Sequence, residues 1–214
     1  MAPGRLTLPN IITFGRIVAC PAVFVLALWP SAFLRLGAFV LFLAAALSDL
    51  WDGYLARKHG LITDLGALLD PLADKLLLLA TIVPIYILSR SGGVVGPLPW
   101  WGPLPLWFVV IIFGRELAVT LFRSWAARRG VVISAGRSGK RKALSQNLFS
   151  GGVLLWYPLL MYSEAYQWEG PFWSFWKGLH GAWIGLTLLL AVLLTVYSMV
   201  DYFWSYRALV GAKG

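Results

Sequence analysis

Long apolar stretches alternate with short polar breaks along most of this chain, and the stretches have the length of membrane-crossing helices. Six of them predict helices over roughly Pro9–Trp29, Phe33–Arg57, Gly66–Leu88, Leu104–Trp125, Leu148–Tyr162 and Ala182–Tyr206. Two of the breaks, "SGGVVGPLPWWGPLP" and "SEAYQWEGPFWSFWKG", are rich in Gly, Pro and Trp. They read as outer loops whose tryptophans form an interfacial aromatic belt. The expected fold is therefore an all-α polytopic membrane protein, with about six transmembrane helices in a single domain spanning residues 1–214.

Composition supports this reading. The chain is 59% hydrophobic and only 13% charged, against about a quarter charged in a soluble domain. A soluble core is excluded on that ground. Cys20 is the only cysteine, so no disulfide can form within the chain. The formal net charge is +9. In a soluble chain this would suggest nucleic acid. In an apolar one it points to orientation, anionic membrane lipids or a phosphorylated substrate, and no nucleic-acid partner is expected.

The basic residues predict the orientation. Threading the six helices puts all but three of the 18 Lys and Arg on one side; only Arg35, Arg90 and Lys177 fall on the other. The crowded side should face the cytoplasm, with both termini, in a multi-pass cell-membrane protein.

One polar break does not look like a loop. "SDLWDGYLARKHGLITDLGALLDPLADK" holds Asp49, Asp52, Asp64, Asp70 and Asp74, more than half of the nine acidic residues. Asp49 and Asp52 are three apart and share a helix face, with Gly53 and Arg57 on the same stripe. Gly66, Asp70 and Asp74 follow at intervals of four. A short connection makes the two helices antiparallel neighbours, so the carboxylates converge at the cytoplasmic face. Asp64 is off both stripes and reads as solvated or as a helix cap.

Convergent carboxylates repel by roughly 4 kcal/mol per close pair at an effective dielectric near 20. They need protons or cations. With no Cys in the stretch and its one histidine, His59, reading as solvated beside Arg57 and Lys58, the oxygen donors suit Mg²⁺ or Mn²⁺, and four of them suit two ions, an arrangement used in phosphoryl chemistry.

The spacing Asp49-x-x-Asp52-Gly53-x-x-Ala56-Arg57, eight residues, Gly66-x-x-x-Asp70-x-x-x-Asp74 resembles the signature of the CDP-alcohol phosphotransferases at every fixed position. The resemblance implies a six-helix membrane enzyme, usually a homodimer, that moves a phosphoryl-linked group from a CDP-bearing donor to an alcohol and releases CMP. It implies that Asp49, Asp52, Asp70 and Asp74 are metal ligands and that Asp74 is also the general base. It implies that Gly53, Ala56 and Gly66 pack against the cytidine nucleotide and that Arg57 pairs with the donor's phosphates. Asn10 and Thr13, near the cytoplasmic end of the first helix, are expected to donate hydrogen bonds to donor phosphate.

The flanks are similar to one branch of that family, the phosphatidylglycerophosphate synthases. "LTLPNIITFGRI", "DPLADK", "GRELAVTLFRSWAARRGVVIS" and "GKRKALSQN" carry this likeness. It implies CDP-diacylglycerol as donor and glycerol 3-phosphate as acceptor. An acceptor with its own phosphate needs cations beside the carboxylates. Arg115, Arg123, Lys140, Arg141 and Lys142 are the expected acceptor-phosphate residues, Arg123 lying two turns beyond Arg115. Asp201 is left outside the site, with a basic partner expected. A different acceptor (serine, inositol phosphate or phosphatidylglycerol) is the competing reading. A divalent-cation transporter is the remote one, lacking a polar path through the outer half.

Overall fold

The computed structural model describes residues 7–59, 63–131 and 136–207; the side chains at positions 50, 52–57, 59, 64, 67 and 137 lie outside that description. The helices are α1 (Leu8–Leu28), α2 (Ala32–His59), α3 (Asp64–Leu88), α4 (Leu106–Arg128), α5 (Arg137–Ala165) and α6 (Pro171–Ser205). Four are long and apolar enough to cross a membrane: Leu8–Leu28, the Ala32–Asp49 part of α2, the Leu68–Leu88 part of α3, and α6. α4 and α5 are long enough but stand outside that group. Arg115, Glu116 and Arg123 interrupt α4, whereas the run after Lys142 in α5 is diluted by Ser145, Gln146, Asn147 and Glu164.

Local chemistry explains the helix ends. Pro9 occupies the first turn of α1, where its missing N–H costs nothing. Thr63, not Asp64, caps α3: its Oγ1 accepts the Gly66 N–H at 3.0 Å. Pro71 lies inside α3. Both α5 and α6 begin well before their apolar runs. Gly170, at φ 104°, turns the chain, and Pro171 starts α6 with a φ already suited to a helix. The second expected outer loop is therefore helical from Pro171 onward. Trp173 is buried rather than part of an interfacial belt. In the first outer loop, Trp101 Nε1 donates to the Gly185 carbonyl at 3.2 Å, docking that loop on α6.

α1 packs against α2 and α3, α5 against α6 and α2, and α4 against α6. Small residues permit close approach where α1, α2 and α3 meet: Cys20, Ala27, Ala38, Ala45 and Ala80 are buried with Val23, Phe42 and Leu77. A second cluster, around Ile85, Phe108, Ile112, Phe149, Val153 and Leu188, joins α3 to α6. On α5, a Cβ at Gly151 would lie 3.1 Å from the Phe42 ring, and one at Gly152 2.9 Å from Trp183. The glycine pair thus lets α5 sit tightly between α2 and α6.

Candidate active site

The aspartates stand near the C-terminal end of α2 and in the N-terminal turns of α3, and α1 supplies what holds them. Arg16, buried on α1, places its Nη1 2.5 Å from Asp49 Oδ1 and 3.1 Å from Asp74 Oδ1. One guanidinium therefore ties α1, α2 and α3 together through two carboxylates. The Asp74 carboxylate is also repelled by Asp49 and Asp70 and attracted by Lys142. One turn nearer the N-terminus, Thr13 Oγ1 lies 3.0 Å from Asp70 Oδ1 and 3.1 Å from the Pro9 carbonyl. Asn10 is buried; its Oδ1 accepts from Thr63 Oγ1 at 3.0 Å, while its Nδ2 has no partner among the described residues. A Cβ on Gly66 would meet that same Asn10 Oδ1 at 2.8 Å. Gly66 is thus required by the α1–α3 seam itself.

A cavity of about 1260 Å³ opens beside the carboxylates. Asp49, Asp74 and Arg16 form part of its wall. Arg115, Arg123, Lys140 and Lys142, from α4 and α5, form another part. Lys142 pairs with Glu116, and Arg115 Nη1 donates to the same Glu116 oxygen at 3.1 Å. Arg123 lies over the Tyr202 ring, 5.8 Å from its centroid. Ser138 and Asp201 face the same space, with Ser138 Oγ donating to Asp201 at 2.6 Å. The rest of the wall is largely apolar, including Phe39, Phe42, Leu43, Leu148, Leu155 and Leu186.

The expected residues thus divide. Asp49, Asp74, Arg115, Arg123, Lys140 and Lys142 share one cavity. Asn10, Thr13, Gly66 and Asp70 sit together on the α1–α3 seam and do not line it. Arg141 is exposed and does not line it either. Asp52, Gly53, Ala56 and Arg57 lie on α2 with side chains outside the described residues. Arg16 was not among the expected site residues; an arginine amid "IITFGRIVAC" was the available signal, since ionisable groups at membrane depth usually serve function. Among the described residues Asp201 takes a serine hydroxyl as its partner rather than a base.

Among the described residues no three Asp, Glu, His or Cys side chains are grouped closely enough to hold a metal ion. The donor chemistry still fits a hard cation. The carboxylates offer only oxygen, and Asp49 and Asp74 already gather a positive charge between them in the Arg16 guanidinium.

The model of the CDP-alcohol phosphatidyltransferase family matches residues 6–198. A probable phosphatidylglycerophosphate synthase of Mycobacterium tuberculosis is 37% identical over 199 residues, covering 91% of this chain and 79% of the relative. A CDP-diacylglycerol--glycerol-3-phosphate 3-phosphatidyltransferase of Pseudomonas fluorescens is 32% identical over 214 residues, covering 97% and 95%. One of the same name from Arabidopsis thaliana, number 2, is 36% identical over 148 residues. That match takes in 66% of this chain and 61% of the plant protein's length. The match across residues 6–198 identifies the chain as a member of the CDP-alcohol phosphatidyltransferase family.

Proposed function

We propose that the protein is a CDP-diacylglycerol--glycerol-3-phosphate 3-phosphatidyltransferase, a phosphatidylglycerophosphate synthase. Family membership makes it a transferase, and relatives of that name cover nearly all of the chain. The observation that carries the acceptor is the shared cavity. Carboxylates suited to a pyrophosphate donor and cations suited to a phosphorylated acceptor face one space. Its apolar wall suits the acyl chains of a lipid donor.

Asp49, Asp52, Asp70 and Asp74 would hold Mg²⁺ or Mn²⁺, two ions in this reading. Bound there, the cations would neutralise the donor's pyrophosphate and the departing CMP. The protein's own groups do the rest. Arg57, Gly53, Ala56 and Gly66 would seat the nucleotide end, and the donor's phosphates would be served by Asn10, whose Nδ2 has no partner among the described residues, and by Thr13, whose hydroxyl meets Asp70 in this structure. Arg115, Arg123, Lys140 and Lys142 would hold the acceptor's phosphate, with Glu116 keeping Arg115 and Lys142 in place before it arrives. Arg141 contributes outside the cavity, as charge at the membrane surface. Asp74 would take the proton from the acceptor's 1-hydroxyl. That oxygen then attacks the β-phosphorus as the bond to the CMP oxygen breaks, giving phosphatidylglycerophosphate and CMP. In this reading α4 and α5 complete six membrane crossings, both termini and the site face the cytoplasm, and two copies form a dimer.

The test is product identity. Proteoliposomes holding CDP-diacylglycerol, Mg²⁺ or Mn²⁺ and glycerol 3-phosphate should yield phosphatidylglycerophosphate and CMP in equal amounts by mass spectrometry. Donor hydrolysis to phosphatidic acid, with no such product, would refute the assignment.

A further inference from the structure

A second buried arginine lies at the opposite end of the bundle. Arg35 is in the first turn of α2, 14 residues before Asp49, or about 21 Å along the helix. It is only 7% exposed. Its Nη1 donates to the Met161 sulfur at 3.2 Å, a weak acceptor, and its Nε has no partner. Among the described residues no carboxylate lies within ion-pairing distance of it. It borders a separate cavity of about 550 Å³, formed with Pro30, Ser91, Val95, Met161 and Glu164. Glu164, exposed on this wall, makes no ion pair with it.

A guanidinium whose neighbours are a thioether and, through space, the Tyr157 phenol has, among the described residues, no anion to meet its charge and is an incomplete site. Burying an unpaired charge costs several kcal/mol. The planar donor fork of arginine matches phosphate oxygens. The free N–H groups of the first turn of α2 add positive character at the same place. Basic pockets between membrane helices hold lipid phosphate on the cytoplasmic side, and the same donor chemistry is available to a headgroup at this opposite end. This end of α2 also ends an apolar span, where headgroups lie.

We infer that the cavity at Arg35 binds a phosphate oxyanion, remote from the aspartates and serving no step of the proposed reaction. Two sources share this chemistry: the headgroup of a phospholipid in the far leaflet, and free inorganic phosphate.

Thermal melting of the full chain in neutral detergent separates them. Wild type and Arg35→Gln would each be melted with dihexanoylphosphatidylglycerol, inorganic phosphate, or dihexanoylglycerol, which lacks phosphate. Ligand at the aspartate end affects both proteins equally, so the difference between them reports on Arg35. A lipid-induced rise larger by at least 3 °C in wild type than in Arg35→Gln, and absent with dihexanoylglycerol, supports a headgroup site. The same difference with inorganic phosphate alone supports a free-anion site. Equal shifts in both proteins under every ligand overturn the inference. Should Arg35→Gln not fold, Arg35→Lys replaces it: the charge stays but the fork is lost, so a phosphate-dependent shift smaller than wild type's supports the site and an equal one overturns it. These outcomes are independent of turnover, so failure here leaves the transferase reading untouched.

Discussion

Arg16 on α1 lies 3.1 Å from Asp74 on α3 and reaches Asp49 on α2 with the same nitrogen. A buried cation thus holds two of the carboxylates to which the proposed reaction assigns the metal. Arg16→Gln removes the cation shared by both partners, leaving the more remote Lys142 and solvent to offset their repulsion. Hydrogen bonds to charged groups contribute about 1.5–3 kcal/mol each when buried, and less here because both carboxylates are partly exposed. The variant should melt several degrees lower in chelator, and added Mn²⁺ should recover part of the loss. Identical melting of variant and wild type in chelator would remove Arg16 from this role.

Asp74→Asn keeps the shape of the side chain and removes the proposed base. Turnover should fall about 10²–10⁴-fold. Size-exclusion profile and helical circular dichroism should match wild type. Turnover within twofold of wild type would reassign the base.

Gly66 and Asn10 should be coupled. Gly66→Ala places a Cβ 2.8 Å from Asn10 Oδ1, and overpacking of this kind costs about 1–3 kcal/mol. Asn10→Ala should relieve most of that cost in the double variant, read by thermal melting. Additive losses would mean that the glycine answers to the nucleotide instead.

Glu116 holds Lys142 and Arg115 in a nearly dry setting. Glu116→Gln leaves the buried Lys142 ammonium without its anion, a loss of about 3–5 kcal/mol. Combining it with Lys142→Met should restore much of the stability but not the affinity for glycerol 3-phosphate. A fully stable Glu116→Gln protein would argue that the pair is solvated.

Lys140 is exposed, lines the cavity and makes no ion pair among the described residues. Lys140→Gln should raise the acceptor KM several-fold and leave the donor KM unchanged. An effect on the donor alone would move the acceptor's phosphate elsewhere.

Part of the candidate site was legible because helical spacing is rigid: an interval of four places Asp70 and Asp74 on one face of α3, and both meet α1. Long apolar runs announced the helices for the same reason. Three features were not legible. Arg16 meets Asp49 and Asp74 only through tertiary packing, and spacing along one helix cannot reveal a partner on another. The early start of α5 was hidden because "GRSGKRKALSQN" is polar, although nothing in it prevents a helix. The division among Lys140, Arg141 and Lys142 follows from geometry, since successive residues turn about 100° on a helix. Three in a row cannot all face one cavity, and Arg141 is the one left outside.

The most direct test compares glycerol 3-phosphate with glycerol, which offers the same 1-hydroxyl but no phosphate. CMP release from CDP-diacylglycerol would be followed in proteoliposomes with either acceptor at equal concentration. The cavity shared by Asp74 and the α4–α5 cations predicts rapid release with glycerol 3-phosphate and only background with glycerol. Equal rates with both, or release with serine or inositol alone, would contradict it.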